Sequence, residues 1–190
     1  RFRMSAGRKK CRVMHRYDLT AEMYDLRYAE EQTAKIKAAM KHLTMERNER
    51  VLDAGCGTGV LFDYIADETD LLVGVDISKR MLVQAKKRIS DNESGRVHLI
   101  QADVDKLPFG KNVFSKVFAV TVLQNSPNPA ETLNEMKRVG RRGTVFVVTG
   151  LKRIFSKRTF ARLLREAGLK AETFEGDELK CYVAACRDLT

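Results

Sequence analysis

Val51-Leu52-Asp53-Ala54-Gly55-Cys56-Gly57-Thr58-Gly59 decides the fold. An apolar run, residues 51–54, enters a turn with glycine at every second position, and a helical stretch, residues 60–66, follows. That order places the turn at the carboxyl end of a buried strand, where open α/β sheets bind ligands. Glycines there tolerate positive φ and let backbone approach a ligand closely. The spacing is GxGxG preceded by an acid, and not the GxGxxG that cradles a pyrophosphate. Asp53, so near the turn, would repel a pyrophosphate and suits a ligand carrying an ammonium group.

Outward from this turn the chain alternates. Residues 71–75, 97–100, 113–122 and 144–149 read as further buried strands. Residues 78–89, 130–139 and 156–167 read as helices between them, with Ser78 as an N-cap and Gly168 as a stop. Alternating strands and helices imply a parallel sheet with helices on both faces. The tail differs: residues 169–174 and 179–186 are strand-like and joined by Glu175-Gly176-Asp177-Glu178, which demands a hairpin. The expected fold is α/β, a doubly wound, mostly parallel seven-stranded sheet with an antiparallel terminal hairpin. Residues 18–43 read as helix, with Leu26, Ala29, Ile36, Met40 and Leu43 apolar. Two parts are expected: a basic N-terminal arm with lid helices over residues 1–43, and a ligand-binding domain over 44–190.

Two more acids stand at strand ends. Asp76, in Gly74-Val75-Asp76-Ile77, can accept two hydrogen bonds from a ribose diol. Asp103, in Gln101-Ala102-Asp103-Val104, could accept from an adenine amino group. Three acids on successive strand ends beside a glycine turn describe an adenosine pocket.

These residues resemble the class I S-adenosylmethionine-dependent methyltransferase family. Residues 53–59 are similar to its first motif, Asp76 to its second-strand acid and Asp103 to its third. The resemblance covers roughly residues 45–190. It implies S-adenosyl-L-methionine as cofactor, with Gly55, Cys56, Gly57 and Gly59 under the methionine moiety. It also implies Asp76 on the ribose, Ile77 against the adenine, and Asp103 with Val104 near the adenine amine. Tyr17-Asp18, Tyr24-Asp25 and Tyr28 resemble the tyrosine-rich N-terminal helices that lid the site, with Tyr28 as a cofactor contact. Plain packing of that helix on the sheet is the alternative.

After the fourth strand comes Asn125-Ser126-Pro127-Asn128. It resembles the Asp/Asn/Ser-Pro-Pro-aromatic tetrad of methyltransferases acting on planar amino groups, at its first and third positions. It departs at the second, Ser for Pro, and at the fourth, Asn for the aromatic. Asn125, Ser126 and Pro127 are the candidate catalytic residues. An exocyclic amine is a poor nucleophile because its lone pair is delocalised into the ring. A side-chain oxygen and a backbone carbonyl accepting its two N–H bonds would favour a more tetrahedral nitrogen. Alternatively the segment is a turn capping the next helix. No Pro-Cys or Thr-Cys dipeptide offers the nucleophile that carbon methylation of a pyrimidine needs.

The chain has 190 residues and a formal net charge of +10, which suggests a polyanionic partner, nucleic acid first. Residues 1–16 hold Arg1, Arg3, Arg8, Lys9, Lys10, Arg12 and Arg16 and no acid. No acid lies between Glu135 and Glu166, where basic residues recur. Of these, Lys152, Arg153, Lys157 and Arg158 follow the fifth strand on the side where the methyl would be delivered, and are the candidate RNA-binding residues. A solvated charged surface is the alternative. No residues are left to build an RNA-binding module, which favours structured RNA, ribosomal above transfer RNA. An exposed sheet edge could recruit an activating protein subunit.

Four cysteines without a CxxC pair, no metal-like Cys/His spacing, no signal peptide and no membrane-length apolar run point to a cytoplasmic protein with reduced thiols. No metal is expected, and His15, His42 and His98 read as structural. The leading reading is an RNA-base N-methyltransferase, narrowest at N4 of a cytidine in ribosomal RNA. Other readings are methylation of a tRNA base or adenine N6, of a protein side-chain amide or amine, or of a small molecule. A cofactor-binding RNA assembly factor without turnover is a further one.

Overall fold

A computed structural model describes residues 5–90, 95–176 and 178–189. Arg1 and Arg3 of the basic segment, and Asp177 of the hairpin loop, lie outside the described residues. The elements are α1 (Ala6–Met40), β1 (Arg50–Ala54), α2 (Phe62–Ile65) with a 3₁₀ turn at Ala66–Glu68, β2 (Leu71–Asp76), α3 (Lys79–Lys86), β3 (Val97–Gln101), β4 (Phe114–Ala119), α4 (Pro129–Val139), β5 (Gly140–Leu151), α5 (Lys157–Glu166), β6 (Leu169–Phe174) and β7 (Cys181–Asp188).

One seven-stranded sheet has the order β3-β2-β1-β4-β5-β7-β6. β1, β2, β3, β4 and β5 pair in parallel. The expected terminal hairpin is present, and β7 inserts between β5 and β6, antiparallel to both. β7 therefore runs against the rest, while β6, at the sheet edge, runs with it. The strand order reverses between β1 and β4, which opens a crevice beyond their carboxyl ends.

The central strands are buried on both faces, as parallel strands between helical layers must be. Alternation sorts their side chains. Val51, Leu72, Phe118 and Val147 pack with Ile36 and Ala39 of α1, Phe62 of α2 and Leu82 and Ala85 of α3. Their neighbours Leu52, Val73, Val117 and Phe146 pack with Leu133 and Met136 of α4 and Phe160 and Leu164 of α5. Each such side chain, fully buried, contributes about 1.5–3 kcal/mol relative to exposure. Ser78 caps α3, its hydroxyl accepting from the Met81 N–H at 3.1 Å.

α1 departs from the sequence reading. It begins at Ala6, twelve residues before the expected start, and ends at Met40. The basic segment from Ala6 onward is thus helix. Its charges mask a half-buried stripe: Lys9, Lys10, Val13, Tyr17 and Tyr24 recur at helical spacing and turn toward the sheet. Leu26, one of the apolar positions of the helical reading, is 80% exposed on the opposite face, alongside Leu19 and Met23.

Candidate functional site

The crevice between β1 and β4 holds a cavity of about 100 Å³. Its floor is the glycine turn. The Gly55 N–H donates to the Val75 carbonyl at 2.7 Å, and φ there is +80°. A Cβ on Gly55 would stand 2.5 Å from Val122 Cγ2, so no side chain fits. Gly57, at φ +55°, faces open space, and its N–H donates to Asp76 Oδ2 at 2.9 Å. The Ser78 N–H donates to the other oxygen, Oδ1, at 2.8 Å. Two backbone donors thus fix the Asp76 carboxylate at the cavity wall, each oxygen keeping a further lone pair. Ile77, Asp103 and Val104 line the same cavity. Burial pushes the Asp76 carboxyl upward, and its backbone hydrogen bonds pull it back.

Asp53 lies beneath the turn at the end of β1, 3% exposed. Among the described residues no cation or hydrogen-bond donor meets its carboxylate. Burial first, and the Asp76 charge second, push it up to about 8. It lines a smaller hollow beside the main cavity, with Cys56, Thr58 and Tyr24. Cys56 packs into the core on the α1 side, and burial holds its thiol protonated. A Cβ on Gly59 would meet the Phe62 ring, so Gly59 serves helix packing rather than the cavity wall.

α1 forms the roof. Tyr17 and Tyr24 line the cavity, with ring centroids 6.0 Å apart. The aspartate after each tyrosine pins the helix down. Asp18 accepts from the Ser78 hydroxyl at 2.6 Å, and Asp25 from the Thr58 hydroxyl at 2.6 Å. Tyr28, expected at the cofactor, is 42% exposed and packs on the Tyr24 ring outside the cavity. It keeps the helical phase but stands one turn too far along the axis, about 5–6 Å.

Lys10, which sequence reasoning placed only in a basic arm, bridges Asp103 and Asp105 at 2.6 Å each. Lys9 donates to the Ser126 carbonyl at 2.9 Å. Arg16 donates to Asn125 Oδ1 at 2.9 Å. Three cations of α1 therefore occupy four acceptors along the cavity rim.

Asn125, Ser126 and Pro127 all line the cavity. The Asn125 amide donates to the Tyr17 hydroxyl and to the Thr121 carbonyl, both at 2.9 Å, which fixes the direction of its oxygen. The Ser126 hydroxyl accepts from the Asn128 N–H at 3.1 Å, a local turn before α4, and no side chain caps that helix. Thr121 adopts φ +65°, a strained conformation for a β-branched residue. Gln32 and Lys35 of α1 hold its hydroxyl at 3.0 and 3.1 Å. Nothing in the sequence signals this residue, because only tertiary contacts maintain the strain.

The basic residues past β5 stand apart from the cavity. Lys152 donates to the Gly176 carbonyl at 3.1 Å, and Lys157 pairs with Glu175. Arg153 and Arg158 are exposed, with no ion pair among the described residues. None of the four lines the cavity.

Comparison with known proteins follows the same outline. A family described as methyltransferase domain matches residues 45–182. The chain belongs to that family. A tRNA U34 carboxymethyltransferase of Pseudoalteromonas atlantica is 30% identical over 118 residues, 62% of this chain and 36% of the relative. A demethylmenaquinone methyltransferase of Oceanobacillus iheyensis is 32% identical over 110 residues, 56% of this chain and 46% of the relative. The chain spans half or less of the length of these curated relatives. Among solved structures, a magnesium protoporphyrin IX methyltransferase of Synechocystis with bound S-adenosylmethionine aligns with a TM-score of 0.73 at 17% identity, over 99% of this chain and 100% of that one. A methyltransferase of Haloferax volcanii in complex with the Trm112 activator aligns with a TM-score of 0.74 at 16% identity, over 92% and 98%. These alignments show the class I S-adenosylmethionine-dependent methyltransferase fold.

The residues of this methyltransferase domain fit that cofactor. Asp53 is a buried carboxyl with no partner among the described residues, Asp76 is an oriented acceptor, and Gly57 opens on space that a Cβ would otherwise fill. The volume is smaller than the roughly 300–1,000 Å³ of ordinary ligand sites. Lys10, Val13, Tyr17 and Tyr24 of α1 narrow it, and an outward shift of α1 would widen it for an adenosine-sized ligand. Among the described residues no cluster could hold a metal ion, and no helix is long and apolar enough to cross a membrane.

Proposed function

We propose that the protein transfers the methyl group of S-adenosyl-L-methionine to the exocyclic amine of an RNA base, in its narrowest form N4 of a cytidine in ribosomal RNA. One observation carries this reading. The two acceptors that such an amine requires, Asn125 Oδ1 and the Ser126 carbonyl, belong to adjacent residues lining the cavity, and each already takes an N–H from a cation of α1. The Arg16 donor is a planar, delocalised N–H, as the amine of cytosine is.

In this reading Asp76 holds the ribose diol, Ile77 and Val104 flank the adenine, and Asp103 accepts from its amine. Asp53 and the glycine turn face the methionine end. The bound cofactor supplies an electrophilic methyl. Asn125 and Ser126 accept the two amine N–H bonds and localise the lone pair. As the N–C bond forms and the C–S bond breaks, the nitrogen becomes acidic and releases its proton to water. Positioning and electrostatics supply the rate, and no strong general base is needed. Pro127 shapes the wall beside them.

The charge of +10 and the exposed Arg153 and Arg158 support a polyanionic substrate, as does the tRNA-modifying relative. Four free cysteines, three of them buried, support a reducing compartment such as the cytoplasm. The complex of the Haloferax volcanii methyltransferase with its activator supports a helper subunit here, with the edge strands β3 and β6 as places for it to pair.

Two results follow for cofactor binding. Lys10→Ala removes the bridge from α1 to Asp103 and Asp105. Stopped-flow titration is expected to show S-adenosylmethionine associating about 3–10-fold faster, since the opening of α1 loses a charge-assisted contact of a few kcal/mol at most. Equal association rates would show that Lys10 does not hold the roof. The second concerns pH. Asp53 keeps its proton up to about pH 8, and an ammonium partner requires the carboxylate. Affinity should therefore rise with pH, by up to about tenfold per unit between roughly pH 6 and 8, and level off above. Calorimetry in buffers of different ionisation enthalpy should show about one proton released below pH 8. Without ligand the sign is opposite for stability: a raised carboxyl makes the fold lose stability as pH climbs from the unfolded value toward 8. Affinity independent of pH would remove Asp53 from the ammonium site.

Methyl-labelled S-adenosylmethionine, offered with ribosomal subunits, ribosomal RNA and transfer RNA lacking their native modifications, tests the substrate. Label in an N-methylated cytidine of ribosomal RNA is the expected result. Label in a transfer RNA base amine would keep the chemistry and move the substrate. Label only in protein or small molecules would overturn the RNA reading.

A further inference from the structure

At the opposite end of the sheet from the cofactor cavity lies a groove of about 630 Å³. It opens between the segment after α1 and the strands β4, β5, β7 and β6. Strand register explains its character. Lys116 of β4 stands opposite Val145 of β5, Val145 opposite Arg187 of β7, and Arg187 opposite Lys170 of β6. Residues directly opposite share a face, so three cations form one row across four strands.

Lys116 is buried and neutralised by Glu49. Arg187 and Lys170 are exposed and face one another, an arrangement of like charges that costs stability. Among the described residues no ion pair relieves either. Arg141 and Arg142 add two exposed cations where β5 bulges out of register with β4. Bulges at strand ends re-aim side chains, here into the groove. Glu46 and Glu172 are the remaining acids of its wall, against four cations with no ion pair among the described residues. At the rim the exposed His42 ring stacks on Phe174, with centroids 3.5 Å apart and planes 6° from parallel. The outer face of that imidazole is a platform for a flat ring.

We propose that this groove binds a single-stranded stretch of RNA, with phosphates on the Arg187–Lys170 row and on Arg141 and Arg142, and a base on His42. The proposal rests on the RNA reading above and deepens it. Nine residue steps along β5 separate Arg142 from Leu151 near the cofactor end, about 30 Å of extended strand. A substrate held in the groove while its target base is methylated must span that length. The substrate class is therefore an extended or large RNA, and a short fragment around the target base is bound through one end of the protein alone.

The test is fluorescence anisotropy of a labelled 20-nucleotide uridine RNA over a salt series, on the whole chain. Lys170→Gln/Arg187→Gln is compared with Lys86→Gln/Lys87→Gln on α3, which removes the same charge elsewhere. The groove variant should bind about tenfold more weakly at low salt, its log–log salt slope reduced by about 1.4, the share of two phosphate contacts on a single strand. The α3 variant should bind within about twofold of the parent. His42→Ala should weaken binding about fivefold or more without changing the slope, as loss of a stacked base does. Thermal unfolding of the groove variant should be unchanged or shifted upward, since a like-charge pair is removed. Groove and α3 variants that bind equally would overturn the groove proposal and leave the RNA reading standing. Failure of the parent chain to bind either this RNA or unmodified ribosomal RNA would overturn both.

Discussion

Asp76→Ala is expected to weaken S-adenosylmethionine binding by about 10²-fold or more in a chain that still folds. The Asp76 carboxylate is the one acceptor at the cavity whose two oxygens are both oriented by backbone N–H groups, Gly57 on one side and Ser78 on the other. Hydrogen bonds to a charged acceptor contribute roughly 1.5–3 kcal/mol each, and a diol would make two. Truncation also frees the Gly57 turn and leaves two backbone donors unpaired, at roughly 1–3 kcal/mol each. The variant should therefore unfold at a lower temperature as well. Asp76→Asn separates the effects: it keeps the size and one acceptor, and should lose affinity with a smaller loss of stability. Isothermal titration with circular dichroism on the same samples reads both. A folded Asp76→Ala chain that binds the cofactor within threefold of the parent would take Asp76 out of the site.

Asn125→Ala should reduce the single-turnover methyl-transfer rate by about 10²–10³-fold, the usual consequence of removing one preorganised hydrogen-bonding group at a reacting centre. Cofactor affinity should stay within about threefold, or improve slightly, because Arg16 and Tyr17 of α1 lose their partner on the rim. Changes at Arg153 and Arg158 should do the reverse, raising KM for RNA and leaving the rate at saturation alone. Full activity in Asn125→Ala would favour the reading in which residues 125–128 are only a turn leading into α4, to which the Ser126 hydroxyl contributes by accepting from the Asn128 N–H.

The fold was legible because the pattern is strong. Central strands buried on both faces write themselves as apolar runs, and Ser78 and Gly168 mark helix ends. The acids at three strand ends were legible because chain order fixes them at one edge of a parallel sheet. α1 was not. Its contacts with Asp103, Asn125 and Ser126 join residues about a hundred positions apart, and no local pattern encodes them. Its basic residues suggested a solvated arm, whereas Lys10 sits between two aspartates and Leu26 faces solvent. Choosing Tyr28 over Tyr17 and Tyr24 failed for a different reason: helical phase selects a face, and only tertiary structure says where along the helix the cavity ends. The row Lys116, Arg187 and Lys170 was hidden likewise, since it depends on how β7 inserts between β5 and β6.

Equilibrium dialysis of the purified chain with labelled S-adenosylmethionine is the most direct test that the acid-flanked glycine turn is a cofactor site of this kind. One equivalent should bind, displaced by S-adenosylhomocysteine and untouched by NAD or ATP, since the turn lacks the GxGxxG spacing that cradles a pyrophosphate. No saturable binding, or displacement by NAD, would contradict the assignment.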